Sequence, residues 1–162
     1  MPEVTIIDGR SGSGKTTAAE RLARETGAQI LRMDWIYPGW NGLAAGSTSI
    51  PGILHAGRFE RYNWETGVFD EVVELLPQSP LVIEGCGALT SANLEAARQW
   101  AGAGERVHTI WMECAGAIRR ERALARDGEM FRPYWESWAA QESEHFAQTR
   151  PLSLAAEIVH AD

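Results

Sequence analysis

Eight consecutive residues near the start of the chain, Gly9-Arg10-Ser11-Gly12-Ser13-Gly14-Lys15-Thr16, restrict the fold more than any other feature. They match G-x-x-x-x-G-K-[ST] without a gap. A β-branched run, Val4-Thr5-Ile6-Ile7-Asp8, leads into them, and a segment that reads as a helix from about Lys15 to Thr26 leads out. Strand, glycine-rich turn and helix in that order make a cradle for phosphate. The glycines let the backbone curl so that successive N–H groups face one anion. The helix N-terminus adds partial positive charge at the same place. Lys15 is positioned to reach β- and γ-phosphates, and the Thr16 hydroxyl to hold Mg²⁺. Together with Thr17, these residues form the expected nucleotide-binding stretch.

The rest of the chain alternates strand and helix, as a parallel-sheet α/β domain does. Gly27 closes the first helix as a C′ glycine. A second strand is expected near 28–32, then an irregular stretch over 34–49 and a short helix over 51–56. Glu65-Thr66-Gly67 reads as a turn, which favours a hairpin of 59–64 with 69–75; a helix over 68–76 is the competing reading. Leu81-Val82-Ile83-Glu84 reads as a buried strand ending in an acid. Ser91 is the expected cap of a helix running to about Ala101. A strand over 106–112, an arginine-rich helix over 115–126 and a loop over 127–132 follow. Pro133 is the expected first residue of a helix to about Gln148, and 157–160 the last strand.

With 162 residues the chain fits one domain, 1–162. Its formal charge of −7 argues against nucleic acid or an anionic membrane as a partner. Cys86 and Cys114 lie far apart, without metal-ligand spacing, and read as buried thiols of a reduced, cytoplasmic protein. No apolar run approaches the length of a membrane span, and no leader is read ahead of the first strand.

Beyond the phosphate loop, three features select the chemistry. Asp34 follows the second strand, and ligands of parallel α/β sheets sit off the carboxyl ends of strands. An acid there can accept a hydroxyl proton or help hold Mg²⁺. Glu84 ends an apolar strand, the usual place of an acid beside Mg²⁺. Arg119, Arg122 and Arg126 share a helix face and, with Arg132, suit the oxygens of a transferring phosphoryl group. Seven tryptophans are many for this length. They either pack the core or wall a binding site. No Asn-Lys-x-Asp guanine motif occurs, so a GTPase reading has little support.

The stretches IIDGRSGSGKTT (6–17), MDWIYPGWNGL (33–43), RYNW (61–64), VIEG (82–85) and RALARDGEMFRP (122–133) together resemble the uridine kinase family of P-loop kinases, especially its short bacterial members. The resemblance, with the right-handed crossover rule, implies a P-loop NTPase fold. Five parallel strands are expected in the order 2-3-1-4-5, with helices on both faces and a small inserted hairpin. It implies ATP as co-substrate, Mg²⁺ as cofactor and a small-molecule acceptor, a nucleoside or similar alcohol. A nucleoside monophosphate kinase or another small-alcohol kinase is the alternative within the enzyme class, and a non-catalytic nucleotide-binding module the alternative outside it. Asp34 corresponds to the general base, Glu84 lies by the metal with Thr16, and Lys15, Arg122 and Arg126 serve transfer. Arg132 belongs to a lid at about 126–134. An insertion over about 34–76 carries the acceptor site, with Tyr37, Trp40, Arg61, Tyr62 and Trp64 beside Asp34. Two departures mark this chain: Asn63 stands where the family's hairpin usually has Asp, and no histidine follows the turn. The phosphotransfer residues match, whereas those for uridine do not.

Overall fold

The computed structural model describes residues 3–104 and 106–161; the remaining residues of the expected 1–162 domain lie outside them. The first strand β1 (Val4–Gly9) runs into the phosphate loop and α1 (Lys15–Thr26), then β2 (Gln29–Arg32). A 3-10 turn (Met33–Trp35) leads towards α2 (Leu43–Ala56). The antiparallel pair β3 (Arg58–Asn63) and β4 (Val68–Glu74) forms a separate two-stranded sheet. The core resumes with β5 (Leu81–Glu84), α3 (Ser91–Ala101), β6 (Val107–Glu113) and α4 (Gly116–Asp127). Two 3-10 turns (Gly128–Met130 and Arg132–Tyr134) precede α5 (Trp135–Thr149), the short α6 (Pro151–Leu154) and β7 (Glu157–His160).

The main sheet is parallel in the order β2-β5-β1-β6-β7. Counted without the hairpin strands, this is 2-3-1-4-5. Successive residues of a strand point to opposite faces, and burial follows that alternation. Val4, Ile6, Leu81 and Ile83 join the larger core under α2, α3 and α5, while Ile7 and Val82 join a smaller one with Ala19 of α1. Both faces are therefore covered, and the strands' carboxyl ends open into one crevice.

The structure corrects four expectations. Residues 43–56 form one helix, not an irregular stretch followed by a short helix from Pro51. Its Gly, Ser and Pro content predicts poor helix formation, yet Leu43, Gly46, Ser47, Ile50 and Leu54 fall at helical spacing and are buried. Packing overrides propensity here, and Gly46 leaves room for Tyr37, whose Cδ1 would lie 2.6 Å from an added Cβ. Thr90, not Ser91, caps α3, its Oγ1 accepting the Asn93 N–H at 3.1 Å. Pro133 sits inside a 3-10 turn, and α5 begins at Trp135. The loop expected over 127–132 is occupied by 3-10 turns instead. Of the two readings for 68–76 the structure has the hairpin. Asn63 makes its turn: Oδ1 accepts the Glu65 and Thr66 N–H groups at 2.9 and 3.2 Å, and Gly67 supplies the positive φ of 73°.

Candidate active site

The phosphate loop is held from outside as well as by its own glycines. Gly12 and Gly14 adopt φ of 80° and 95°, a conformation that disfavours any side chain. A Cβ on Gly12 would also lie 2.1 Å from the Arg119 carbonyl oxygen, so α4 rests directly on the loop. Asp8, fully buried at the end of β1, accepts the Gly9 and Gly87 N–H groups on Oδ1 at 2.7 and 3.0 Å, and the Leu89 N–H on Oδ2 at 2.9 Å. Burial pushes its pKa up to about 7, against the pull of those N–H donors and of Lys15. From the other side, Glu142 of α5 is 1% exposed and accepts the Ser11 N–H at 2.7 Å and the Cys86 thiol at 3.2 Å. Arg10 points away from the crevice, donating to the Ser143 hydroxyl and lying 5.4 Å over the Phe146 ring.

A cavity of about 230 Å³ opens from this loop towards the hairpin. Ser11, Gly12, Lys15 and Thr16 line its phosphate end. The Lys15 ammonium donates to the Arg10 carbonyl at 2.8 Å and the Ser13 hydroxyl at 3.4 Å. Burial lowers its pKa, but the surrounding acidic groups, among them Glu84, Glu142 and Asp8, outweigh that and leave it raised and the amine charged. Thr16 donates to Glu84 Oε1 at 3.1 Å, and Arg32 donates to the same oxygen at 3.3 Å. Asp34, on the 3-10 turn after β2, lines the same cavity. Its side chain is open to the cavity, yet enclosing protein raises its pKa, while Arg126 and Lys15 oppose the rise. Burial also raises the pKa of Glu84, as does the charge of Asp34.

The expected acceptor residues Tyr37, Trp40, Arg61, Tyr62 and Trp64 all line this cavity. They differ in what they do there. Tyr37 is 2% exposed and donates its hydroxyl to the Cys86 carbonyl at 2.7 Å, as a core residue does. Trp64 donates its indole N–H to the Asp34 carbonyl at 2.9 Å and so ties the hairpin to the acid. Trp40 stacks on Tyr134 with ring centroids 4.5 Å apart and planes 8° from parallel, and packs against Trp64 and Phe131. Arg126 lines the cavity and pairs with Asp127 at 2.8 Å. Arg122 and Arg132 do not line it: Arg122 donates to the Cys114 sulfur, and Arg132 pairs with Glu129 on the surface. Ser13 is buried beneath the loop, and Thr17 is exposed on α1.

Sequence reasoning missed Asp8, Trp35, Phe131, Trp138, Gln141 and Glu142. One of them left a signal: Trp138, Glu142 and Phe146 lie four apart, which puts an acid in the apolar stripe of α5. Gln141 receives no such hint, yet it donates to the Trp40 carbonyl at 2.7 Å and fixes that loop.

Thr16, Asp34 and Glu84 offer one hydroxyl and two carboxylates, hard oxygen donors of the kind Mg²⁺ takes while keeping water and substrate phosphate as its other ligands. Among the described residues no group of three or more His, Cys, Asp or Glu side chains could hold a metal alone. Also among the described residues, no helix is long and apolar enough to cross a membrane.

No family model and no curated protein matches the chain. Solved structures do. That of a possible uridine kinase from Bacillus stearothermophilus superposes with a TM-score of 0.59 at 19% identity, over 98% of this chain and 88% of the other. A gluconokinase from Sinorhizobium meliloti 1021 gives 0.54 at 21% identity over 98% and 81%. A shikimate kinase from Bacteroides thetaiotaomicron gives 0.55 at 14% over 98% and 86%. At these identities the likeness is one of fold.

Proposed function

We propose that the protein transfers the γ-phosphoryl group of ATP·Mg²⁺ to a hydroxyl of a small molecule, in the manner of the uridine kinase-like enzymes. One observation carries this reading: Lys15, the Thr16–Glu84 pair and Asp34 line a single cavity together with the hairpin side chains. A module that only held nucleotide would have no need of an acid and an arginine- and aromatic-bearing hairpin in the same cavity. The loop N–H groups and Lys15 hold the β- and γ-phosphates, and Lys15 offsets charge that grows on the transferring group. Asp34 takes the proton of the acceptor hydroxyl, and its raised pKa makes it a better base than an ordinary carboxylate. Thr16, Asp34 and Glu84 would hold Mg²⁺, which when bound would neutralise phosphate charge.

The segment 126–134 serves as a lid in this reading. Phe131 is 4% exposed and packs against Trp40 and Trp135, so the segment already touches the acceptor side. Closure over ATP would exclude water and suppress hydrolysis. Hydrogen exchange should slow over 126–134 when an ATP analogue is added; equal rates with and without it would remove the lid. The function itself is tested by ADP release with Mg²⁺, ATP and a panel of nucleosides, nucleotides, sugars and sugar acids. Acceptor-dependent release is expected, with a phosphorylated product of matching mass. ATP binding without transfer to any acceptor would leave the nucleotide-binding module as the better description.

A further inference from the structure

The cavity holds six charged side chains, and four of them are matched internally. Lys15 is bonded to the loop, Glu84 to Thr16 and Arg32, and Arg126 to Asp127. Asp34 and Arg61 form no ion pair among the described residues. Each stands ready for a ligand: an acid able to receive a proton, and a guanidinium able to receive an anion.

The hairpin aims Arg61 at this place. Consecutive strand residues normally point to opposite faces, yet Arg61 and Tyr62 both line the cavity. The hairpin ladder is irregular at this step. Arg61 pairs with Glu71 and Tyr62 with Phe69, so Asp70 is an extra residue that bulges β4 at this step. A bulge increases the local twist of the paired strands. The Arg61 guanidinium then rests 4.8 Å over the Trp35 ring. A face-on cation–π contact steadies the group and leaves its N–H edge free. Glu71, opposite it in the ladder, forms no ion pair with it.

Size and wall chemistry narrow the partner further. About 230 Å³ is below the roughly 300 Å³ at which pockets for drug-sized ligands begin. One face of Trp40 is taken by Tyr134, and Tyr37 and Trp64 are engaged with backbone carbonyls. The aromatic residues brace the site more than they offer a free stacking face for a base.

We infer that the acceptor is a small hydroxylated anion whose carboxylate or phosphate pairs with Arg61 while its hydroxyl faces Asp34. This rests on the reading of the cavity as a phosphotransfer site. In the transfer the acceptor's hydroxyl oxygen forms a bond to the γ-phosphorus. The bond from that phosphorus to the β–γ bridging oxygen breaks, ADP leaves with the electron pair, and the hydroxyl proton passes to Asp34. Guanidinium groups bind planar oxyanions bidentately, which both selects the acceptor and fixes its orientation.

The test uses matched pairs with the full-length protein: polyhydroxy acids of increasing length against their carboxamides, and sugar phosphates against the parent sugars. The wild type should favour the charged member of a pair in kcat/KM by on the order of 10- to 100-fold, as expected for a charged hydrogen-bonded contact. The pair series that shows the preference distinguishes carboxylate from phosphate. In Arg61→Gln the ratio should fall to near unity, while Arg61→Lys should keep part of it. Equal use of neutral and charged members by the wild type, or a ratio unchanged in Arg61→Gln, overturns the proposal and leaves the kinase reading standing. If ATP binds and no member of any pair is phosphorylated, the proposal falls, and the kinase reading falls with it only when the nucleosides and nucleotides of the wider panel also give no product.

Discussion

The two ends of the cavity are built on different principles. At the phosphate end the recognising atoms are backbone N–H groups, placed by glycine conformations and locked by buried side chains: Asp8 from one side and Glu142 from the other. At the proposed acceptor end the lining groups are side chains of the segment after β2 and of a two-stranded hairpin outside the main sheet, near which Val68, Val72 and Leu76 are exposed. The first arrangement has little freedom and serves a ligand of fixed shape. The second is joined to the first by few bonds, chiefly Trp64 to the Asp34 carbonyl. In the proposed reading, common chemistry is held by the rigid scaffold, and selectivity by an appended element.

If this division is right, substitutions at the two ends should fail differently. The largest effect is expected for Lys15→Ala. Turnover should fall on the order of 10²-fold or more, with the fold retained by circular dichroism. Near-normal turnover would remove the loop from the mechanism.

Next comes the pH dependence of stability. The Asp8 pKa is raised from 3.8 to about 7 on folding, so between those values the folded state binds more protons than the unfolded state. Stability from this group is therefore fully present at low pH and lost as pH rises towards 7, by up to about 4 kcal/mol. Denaturant unfolding from pH 4 to 8 should show that decline in the wild type and a flatter profile in Asp8→Asn. Identical slopes would mean that the N–H donors keep Asp8 ionised.

Glu142→Ala should destabilise by about 1–3 kcal/mol by leaving the buried Ser11 N–H unpaired, and weaken ATP binding with it. Glu142→Gln, which retains an acceptor, should recover most of both. Equal loss in the two variants would show that charge, not hydrogen bonding, is what the loop needs.

The mildest change is expected for Trp64→Ala. Acceptor KM should rise several-fold, in keeping with about 1 kcal/mol for a lost hydrogen bond, while ATP binding and melting temperature shift little. A melting-temperature collapse with KM unaltered would make the hairpin part of the core and erase the contrast.

The same division decides what could be read beforehand. The loop is a contiguous motif whose spacing carries its chemistry, and strand alternation places it at the carboxyl edge, so Lys15, Thr16 and Glu84 were legible. Asp34 was legible by position alone. Distances across the fold were not. Arg122 shares a helix face with Arg126, yet only Arg126 reaches the cavity, because Arg122 turns to Cys114. Glycine and proline content hid α2, whose helix exists through burial of one face. Arg61 was named as a polar contact, but that it and its neighbour Tyr62 line one cavity depends on the course of the folded hairpin, which no local pattern announces.

The base of the hairpin has a further consequence, in the economy of variation. Leu75 donates to the Gly57 carbonyl at 2.9 Å, so the chain leaves the domain and returns at nearly one point. A segment whose ends are pinned together in this way is a natural insertion site, since its length weighs only logarithmically on closure entropy. The nineteen-residue stretch from Gly57 to Leu75 is in effect a cassette: it could be lengthened, shortened or exchanged for another hairpin with the sheet left in place. New acceptors would then be reached by grafting a loop, with the machinery that handles phosphate inherited unchanged.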